Sequence, residues 1–298
     1  MPATLLGENS CNDADQTSTS ISSPLVPDFP LSFPELCARI HEHISAFLAE
    51  KTDSERLKSV QEQTRISLDV LSEALDRYSL SELSLSYNGG KDCLVLLILY
   101  LAALHAKGLA RSSTNNVNTG HHEPIQCVYI QAEFPFAEVE DFVKTSVATY
   151  SLSLATYAKP MKEAFAEYLH DKPSVKAIFV GTRRTDPHGA KLTHFDPTDH
   201  GWPKFMRIHP VIDWHYVDIW TFTRHLQIPY CVLYDRGYTS LGGTTDTHPN
   251  PALLIQSQNP SQHSNGTQYG SQNGTSTLKF RPAYELIEDR AERLGRDK

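Results

Sequence analysis

The chain has 298 residues, of which 40% are hydrophobic, and a formal net charge of −8. This length suffices for a large buried core and suggests one or two domains. The acidic balance, with no compensating basic run, argues against a nucleic-acid-binding protein. The five cysteines are odd in number and lack C-x-x-C spacing, which argues against a zinc site or a disulfide framework and for a reduced setting. We expect a cytoplasmic protein, since no secretory signal opens the chain and no apolar run reaches the roughly 20 residues of a membrane span.

The first 80 residues carry no obvious site. Residues 1–30 are rich in Ser, Thr, Asp and Pro, which is typical of a disordered tail. Ser32 and Glu35 have the spacing of a capping box, and apolar residues at helical spacing follow them. A second helix is predicted over residues 53–78. We interpret residues 31–80 as a helical subdomain packed on the core.

A predicted strand, a glycine turn and an apolar helix come next. Asn88, Gly89 and Gly90 form the turn, and the two glycines let an anion approach the backbone. Such a turn aims N–H groups and a helix N-terminus at one point, which makes a phosphate site. Lys91 adds a mobile positive charge, and Asp92 and Asn88 bracket the turn. The alternative is a turn that binds nothing, because strand–Gly-Gly–helix turns also occur without a ligand.

Strands and helices alternate beyond the glycine turn. The predicted strands cover 126–130, 152–157 and 177–180, and the predicted helices cover 138–150 and 161–169. This alternation implies a parallel sheet with right-handed crossovers. Ligands in such sheets bind at the carboxyl ends of the strands. The polar, Asn-rich residues 112–123 are interpreted as a surface insertion.

A second candidate site segment follows the strand that ends at residue 180. Gly181, Arg183 and Asp186 lie in it, at the same edge of the predicted sheet as the glycine turn. Arginine there could clamp a phosphate, and Asp186 could orient a cation or a hydroxyl. The alternative is a surface turn with exposed charges. Residues 187–204 have no predicted regular element and no histidine spacing typical of a metal site.

The third candidate segment is aromatic. Asp213 is the predicted N-cap of an apolar helix. Residues 228–243 are dense in aromatic residues and glycine. Trp214, Tyr234 and Tyr238 could flank a flat ring, although most aromatic residues in such places belong to the core.

The last part of the chain combines a low-complexity stretch with a basic end. Residues 254–278 are rich in Gln, Ser, Asn and Gly and are predicted to form a flexible loop. Order is expected to return over residues 279–298. Arg293 and Arg296 are three residues apart, so on a helix they share a face and can grip one polyphosphate. The alternative is a basic chain end without a ligand.

Several of these motifs resemble one enzyme superfamily. Asn-Gly-Gly-Lys-Asp-Cys at residues 88–93 resembles the pyrophosphate loop of the adenine-nucleotide α-hydrolases, usually Ser-Gly-Gly-Lys-Asp-Ser, in the variant of eukaryotic FAD synthases. Gly-x-Arg-x-Thr-Asp-Pro from residue 181, and the late Phe-Arg-Pro-Ala-Tyr and Glu-Arg-x-Gly-Arg, also resemble FAD synthases. The Asp-Trp-x-x-x-Asp-Ile-Trp and Leu-Tyr-Asp-x-Gly-Tyr-Thr-Ser patterns are similar in FAD synthases and phosphoadenylylsulfate (PAPS) reductases. The resemblance covers roughly residues 83–251 and resumes at the C-terminus.

The resemblance implies a fold and a reaction. The fold is α/β, with a parallel-sheet, Rossmann-like adenine-nucleotide α-hydrolase core over residues 81–253, an N-terminal helical subdomain and a C-terminal helical, catalytic segment over residues 279–298. The reaction is FMN + ATP → FAD + pyrophosphate, assisted by Mg²⁺. The rival enzyme is a PAPS reductase, which needs a nucleophilic cysteine near the C-terminus, and no cysteine lies beyond Cys231. A tRNA-modifying ATP pyrophosphatase is disfavoured by the acidic charge, and a flavin- or ATP-binding sensor without turnover stays open.

The resemblance and the motif positions together define the expected site. The catalytic residues are Asn88, Asp92, Asp186, Arg293 and Arg296. ATP and pyrophosphate are expected at Ser86, Tyr87, Gly89, Gly90, Lys91 and Ile130. FMN is expected at Gly181, Arg183, Asp213, Trp214, Tyr234 and Tyr238. Magnesium is expected mainly on the substrate phosphates, with Asp92 as the candidate protein ligand. We expect a monomer that binds no nucleic acid or membrane and takes FMN from a separate riboflavin kinase, because no second catalytic domain fits the length.

Overall fold

The computed structural model describes four stretches of the chain, which are residues 24–27, 29–110, 124–255 and 278–297. Three predicted features fall mainly outside these residues: most of the 1–30 tail, the 112–123 insertion and most of the 254–278 loop. In the described part of the chain, no helix combines the length and the apolar character that crossing a bilayer requires.

A six-stranded sheet forms the centre of the structure. Its strands are β1 (Leu83–Ser86), β2 (Ile125–Ile130), β3 (Leu152–Tyr157), β4 (Ala177–Phe179), β5 (Phe195–Pro197) and β6 (Met206–Ile208). They lie in the order β3-β2-β1-β4-β6-β5, and every neighbouring pair is parallel except β5 and β6. This confirms the predicted α/β fold. The strand order reverses between β1 and β4, which is where a ligand crevice forms in such sheets.

Six α-helices accompany the sheet. They are α1 (Phe33–Ala49), α2 (Glu55–Arg77), α3 (Lys91–Ala106), α4 (Ala137–Tyr150), α5 (Met161–Asp171) and α6 (Tyr216–His225). Helix α3 is buried along nearly its whole length, as its unbroken apolar sequence predicts. It packs against α1 and α2, which share its hydrophobic core. The site-bearing end of α3 is therefore held by the largest core of the molecule.

Two local predictions differ from the structure. The start of α6 is capped by His215, whose N–H donates to the Asp218 carboxylate at 3.0 Å. The predicted N-cap at Asp213 is wrong, because residues 211–214 form a separate turn closed by the bond from the Trp214 N–H to the Val211 carbonyl. Strands β5 and β6 were not predicted, since three residues are too few to show an alternating pattern.

Candidate active site

The glycine turn links β1 to α3. The Asn88 side-chain oxygen accepts a hydrogen bond from the Gly90 N–H at 3.0 Å and so closes the turn. Gly89 has a φ of 73°, and a Cβ there would lie 2.9 Å from Val143 Cγ2. Tyr87 is buried and donates to the Ser146 hydroxyl at 2.8 Å, which anchors the turn from below. The turn thus requires glycine and presents backbone N–H groups at the start of α3.

The loop after β4 lies directly against the first turn of α3. A Cβ on Gly181 would come within 2.9 Å of the Cys93 nitrogen and 3.1 Å of the Asp92 carbonyl carbon. Both atoms belong to the backbone, so neither can move aside cheaply. The two segments that the sequence placed at one edge of the sheet are therefore in contact in the structure.

Replacing Gly181 with alanine should push the loop after β4 away from α3. We expect a loss of about 1–3 kcal/mol of stability, the usual cost of overpacking, together with a clear fall in turnover. Thermal melting and steady-state kinetics measure the two effects. Gly108→Ala is the control, since its φ of 65° also strains an added side chain but lies at the opposite end of α3. A Gly181→Ala protein with normal turnover would show that this contact does not shape the site.

Arg183 is the central cation of the site. Its side chain is 0% exposed and faces four carboxylates. The Nε atom lies 2.9 Å from Asp92 Oδ1, Nη2 lies 3.4 Å from Asp186 Oδ1 and Nη1 lies 3.8 Å from Asp289 Oδ1. Nη2 also binds Glu292 Oε2 directly. Burial alone would lower the pKa of this guanidinium, but the carboxylates outweigh burial and raise it.

Lys91 is not the mobile charge that its position in the turn predicts. Its side chain is 2% exposed, and its ammonium contacts Asp92 Oδ2 at 3.0 Å and Glu292 Oε1. It also lies 5.1 Å from the centre of the Tyr216 ring. Burial alone would lower the pKa of Lys91, but Asp92 and Glu292 together raise it. The C-terminal segment buries this lysine, and the sequence pattern around the turn does not reveal that.

Two acidic residues of the site were missed by the sequence analysis. Glu292, which is 5% exposed, and Asp289 belong to the 3-10 helix Asp289–Gly295. The Asp289 carboxylate accepts from the Tyr216 N–H at 2.6 Å and contacts His215 Nδ1 at 2.7 Å. The spacing of Asp289 and Glu292 could have indicated both residues, because residues three apart in a 3-10 helix lie on the same side. The segment is helical, as expected, but in the tighter 3-10 form.

The two late arginines differ in their surroundings. Arg293 is exposed. Arg296 is partly buried and donates to the Leu241 carbonyl and to Asp246 Oδ2, both at 3.0 Å. Its guanidinium lies over Gly242, where a Cβ would come within 2.4 Å of it. In the described residues, no hydrogen bond or ion pair joins either arginine to the carboxylates around Lys91 and Arg183, so neither belongs to the buried ion-pair cluster.

The aromatic candidates are mostly core residues. Trp214 is fully buried, and its ring N–H donates to the Ser67 hydroxyl of α2 at 2.9 Å. Tyr234 is also buried, and its hydroxyl accepts from the Lys91 N–H at 2.8 Å. Tyr238 is half-buried, with its ring 5.3 Å from that of Phe136. Of the three, Tyr238 alone keeps part of its ring accessible.

The remaining predicted residues lie around the cluster. Asp186 Oδ2 accepts from the Arg183 N–H at 2.8 Å, and burial raises the pKa of Asp186 despite the nearby guanidinium. Asp213 pairs instead with the exposed Arg184, at 2.6 Å, on the outer side of the loop. Ser86 and Ile130 are half-buried and end β1 and β2.

The carboxylates of the site bear on the predicted magnesium ion. Among the described residues, no three His, Cys, Asp or Glu side chains are grouped so that they could hold a metal ion. Asp92 is already paired with Lys91 and Arg183. Magnesium commonly binds through one or two carboxylates plus substrate phosphates. The site thus offers Asp92 as a carboxylate next to the glycine turn, held by two cations, and no preformed metal site among the described residues.

Comparison with known proteins agrees with this architecture. The family model for the phosphoadenosine phosphosulfate reductase domain matches residues 82–174 and 155–249. A probable FAD synthase of Schizosaccharomyces pombe is 39% identical over 87% of this chain and 88% of its own length. The flavin adenine dinucleotide synthase of Saccharomyces cerevisiae is 36% identical, over 77% of this chain and 78% of its own.

A solved structure extends the comparison to three dimensions. Candida glabrata FMN adenylyltransferase, in complex with FAD and inorganic pyrophosphate, matches with a TM-score of 0.78 and 28% identity, over 91% of this chain and 99% of the other. These matches confirm the resemblance drawn from the motifs. The chain belongs to the FAD synthase family of nucleotidyltransferases, which contains the PAPS reductase-type domain.

Proposed function

We propose that this protein transfers AMP from ATP to the phosphate of FMN, giving FAD and pyrophosphate. The observation that carries the proposal is the contact between the glycine turn and the Arg183 loop at the crevice between β1 and β4. The N-terminus of α3, which can bind an anion, meets there the loop whose Arg183 pairs with the carboxylates of the site. The membership of the FAD synthase family supports the choice of nucleotides.

The proposed chemistry is an in-line displacement. An oxygen of the FMN phosphate forms a bond to the α-phosphorus of ATP, and the bond from that phosphorus to the bridging oxygen breaks. The electron pair leaves with pyrophosphate. The second pKa of a phosphate monoester is about 6, so the nucleophile is mostly dianionic at neutral pH and needs no general base. The remaining difficulty is to bring two polyanions together, which requires positioning and charge neutralisation.

Different residues would carry out the positioning and the charge neutralisation. The Gly89 N–H and the N-terminus of α3 would hold the departing pyrophosphate, because the Gly90 and Lys91 N–H groups already donate to Asn88 and Tyr234. The Asn88 amide would orient the α-phosphate or the FMN phosphate. Buried Lys91 and Arg183 would offset the charge of the carboxylates behind the turn. Arg293 and Arg296 would grip the polyphosphate from the C-terminal segment, and Arg296 would exchange Asp246 for it. Magnesium, bound by the triphosphate and Asp92, would neutralise charge.

The flavin is proposed to bind around the loop after β4, which carries Arg183. Gly181 lets this loop pack directly on the start of α3, and Tyr238 is the candidate for contact with the flavin ring. We further propose that the protein acts as a cytoplasmic monomer and receives FMN from a separate riboflavin kinase. Size-exclusion chromatography with light scattering tests the monomer.

The surroundings of the four cysteines in the described part of the chain disfavour thiol chemistry. Cys37, Cys93, Cys127 and Cys231 are all buried. Burial raises the pKa of the Cys93 thiol to about 12, although Cys93 follows the glycine turn directly. A thiol with such a pKa is a poor nucleophile at neutral pH. A PAPS reductase is therefore the weaker candidate, and incubation with PAPS and thioredoxin should yield no sulfite.

A coupled pyrophosphate assay with chromatographic detection of FAD tests the proposal. Purified protein with ATP, FMN and Mg²⁺ should release pyrophosphate and form FAD in equal amounts. Riboflavin in place of FMN should give neither product, because it lacks the attacking phosphate. Binding of both nucleotides without product would favour the sensor, and an absence of both binding and product would overturn the proposal.

A further inference from the structure

Glu292 places one buried carboxylate between cations from two parts of the site. Its Oε1 contacts the Lys91 ammonium and its Oε2 contacts the Arg183 guanidinium. Lys91 opens α3 after β1, whereas Arg183 lies in the loop after β4. These cations repel each other, and the charge of Arg183 acts to lower the pKa of Lys91. The two oxygens of Glu292 therefore bridge the two sides of the crevice.

The backbone that carries Glu292 is held by a buried polar network. Thr239 and Asn250 are both almost fully buried. The Thr239 hydroxyl donates to the Glu292 carbonyl, and the Asn250 amide donates to the Thr239 hydroxyl at 2.8 Å and to the Ala291 carbonyl at 2.7 Å. Gly295 lies so close to the His248 carbonyl that a Cβ would come within 2.3 Å of it. These contacts fix the position of the C-terminal segment relative to residues 239–250.

Glu292 also lies next to the arginines assigned to the polyphosphate. The segment joins the rest of the fold through two isolated bridges, Thr247 with Arg296 and Leu254 with Phe280, and through these side-chain contacts, rather than through an extended strand. The position of exposed Arg293 therefore depends on how Glu292 is docked. A buried carboxylate between two cations is well suited to this task, because its loss removes a partner from both cations at once.

We propose that Glu292 is a positioning residue, which sets the separation of Lys91 and Arg183 and seats the C-terminal segment over the glycine turn. This inference rests on the proposed function. Glu292 acts on the reaction through the two cations and the late arginines, and it does not contact the reacting phosphates itself.

The inference has a kinetic signature that a structural role alone would lack. Removing the charge of Glu292 leaves Asp92 as the opposing carboxylate nearest Lys91, and Lys91 and Arg183 then lose the group that lies between them. The cations and the late arginines should shift and hold the polyphosphate less well, so the KM for ATP should rise. A loss of folded protein alone would lower kcat and leave the KM unchanged.

The test compares Glu292→Gln, which removes the charge, with Glu292→Asp, which keeps the charge but shortens its reach. Glu288→Gln is the control, because Glu288 is exposed on the same segment. We expect Glu292→Gln to lower kcat/KM by about 100-fold, the scale of a misplaced reacting group, with a raised KM for ATP as part of that fall. Glu292→Asp should recover at least a tenth of the wild-type value, and Glu288→Gln should match the wild type.

The outcomes separate this inference from the proposed function. Wild-type protein that makes no FAD would overturn the proposed function, and the affinity for ATP, measured by calorimetry, would then test Glu292. A Glu292→Gln protein with wild-type kcat and KM would overturn the inference. A fall in kcat with an unchanged KM for ATP, or an unfolded Glu292→Gln with a fully impaired Glu292→Asp, would assign Glu292 a purely structural role and overturn it as well.

Discussion

Replacing Arg183 with methionine is expected to destabilise the protein by about 3–5 kcal/mol, because a buried ion pair that loses one partner leaves an uncompensated charge. Here the guanidinium is 0% exposed, and Asp92, Asp186, Asp289 and Glu292 all face it. FAD formation should also fall below detection, since the loop after β4 would lose its contact with the C-terminal segment. Urea unfolding and the pyrophosphate assay measure the two effects.

The loss of stability should depend on pH. In the native protein, burial acts to raise the pKa of Asp92, but Arg183 and Lys91 outweigh burial and lower it. A carboxylate with a lowered pKa contributes stability above its unfolded pKa of about 3.9, and this stability is lost as the pH falls through the folded value. The difference between wild type and Arg183→Met should therefore be largest near neutral pH and should shrink below about pH 4.

The adjacent arginine provides a matched control. Arg184 has 42% of its side chain exposed and pairs with Asp213 at the surface. Arg184→Met should change the stability by less than about 1 kcal/mol, as for other exposed ion pairs. If both variants unfolded at the same urea concentration, the buried cluster would not be the main stabilising contact of this loop.

Replacing Asn88 with aspartate should lower FAD formation by about 100- to 1,000-fold, the effect of removing one hydrogen bond donor from a stabilised anion. The aspartate keeps the oxygen that accepts from the Gly90 N–H, so the turn should persist and the melting temperature should stay near that of the wild type. It replaces the amide N–H₂ with a negative charge facing phosphate. Steady-state kinetics with ATP and FMN, alongside thermal melting, gives both numbers.

Asn88→Ala separates the two roles of the side chain. Alanine removes the acceptor for Gly90 as well as the donor, so it should lower both turnover and stability, the latter by about 1 kcal/mol for one hydrogen bond. An Asn88→Asp protein with normal turnover would mean that the amide acts on the turn alone and not on a substrate phosphate.

The parts of the site that lie within one local segment could be predicted from the sequence. The strand, glycine turn and apolar helix around Asn88 show a change of hydrophobic period and two adjacent glycines, which are local signals. The loop from Gly181 to Asp186 was found in the same way, because it follows a β-branched and aromatic strand. One local pattern gave a wrong prediction. Asp213 has the residue type of an N-cap but belongs to the turn before α6, and His215 is the cap.

The sequence by itself determined the parallel α/β architecture and the edge of the sheet at which the motifs converge, because both follow from local periodicity and the handedness of crossovers. Only the tertiary structure decided which charges face one another. Lys91 meets Glu292 across 201 residues of chain, and Arg183 meets Glu292 across 109. Such pairs depend on how distant segments dock, and the identity of a charged residue does not specify its partner. Lys91, which the turn predicts to be mobile, is therefore buried, and Glu292, which contacts it, was not predicted.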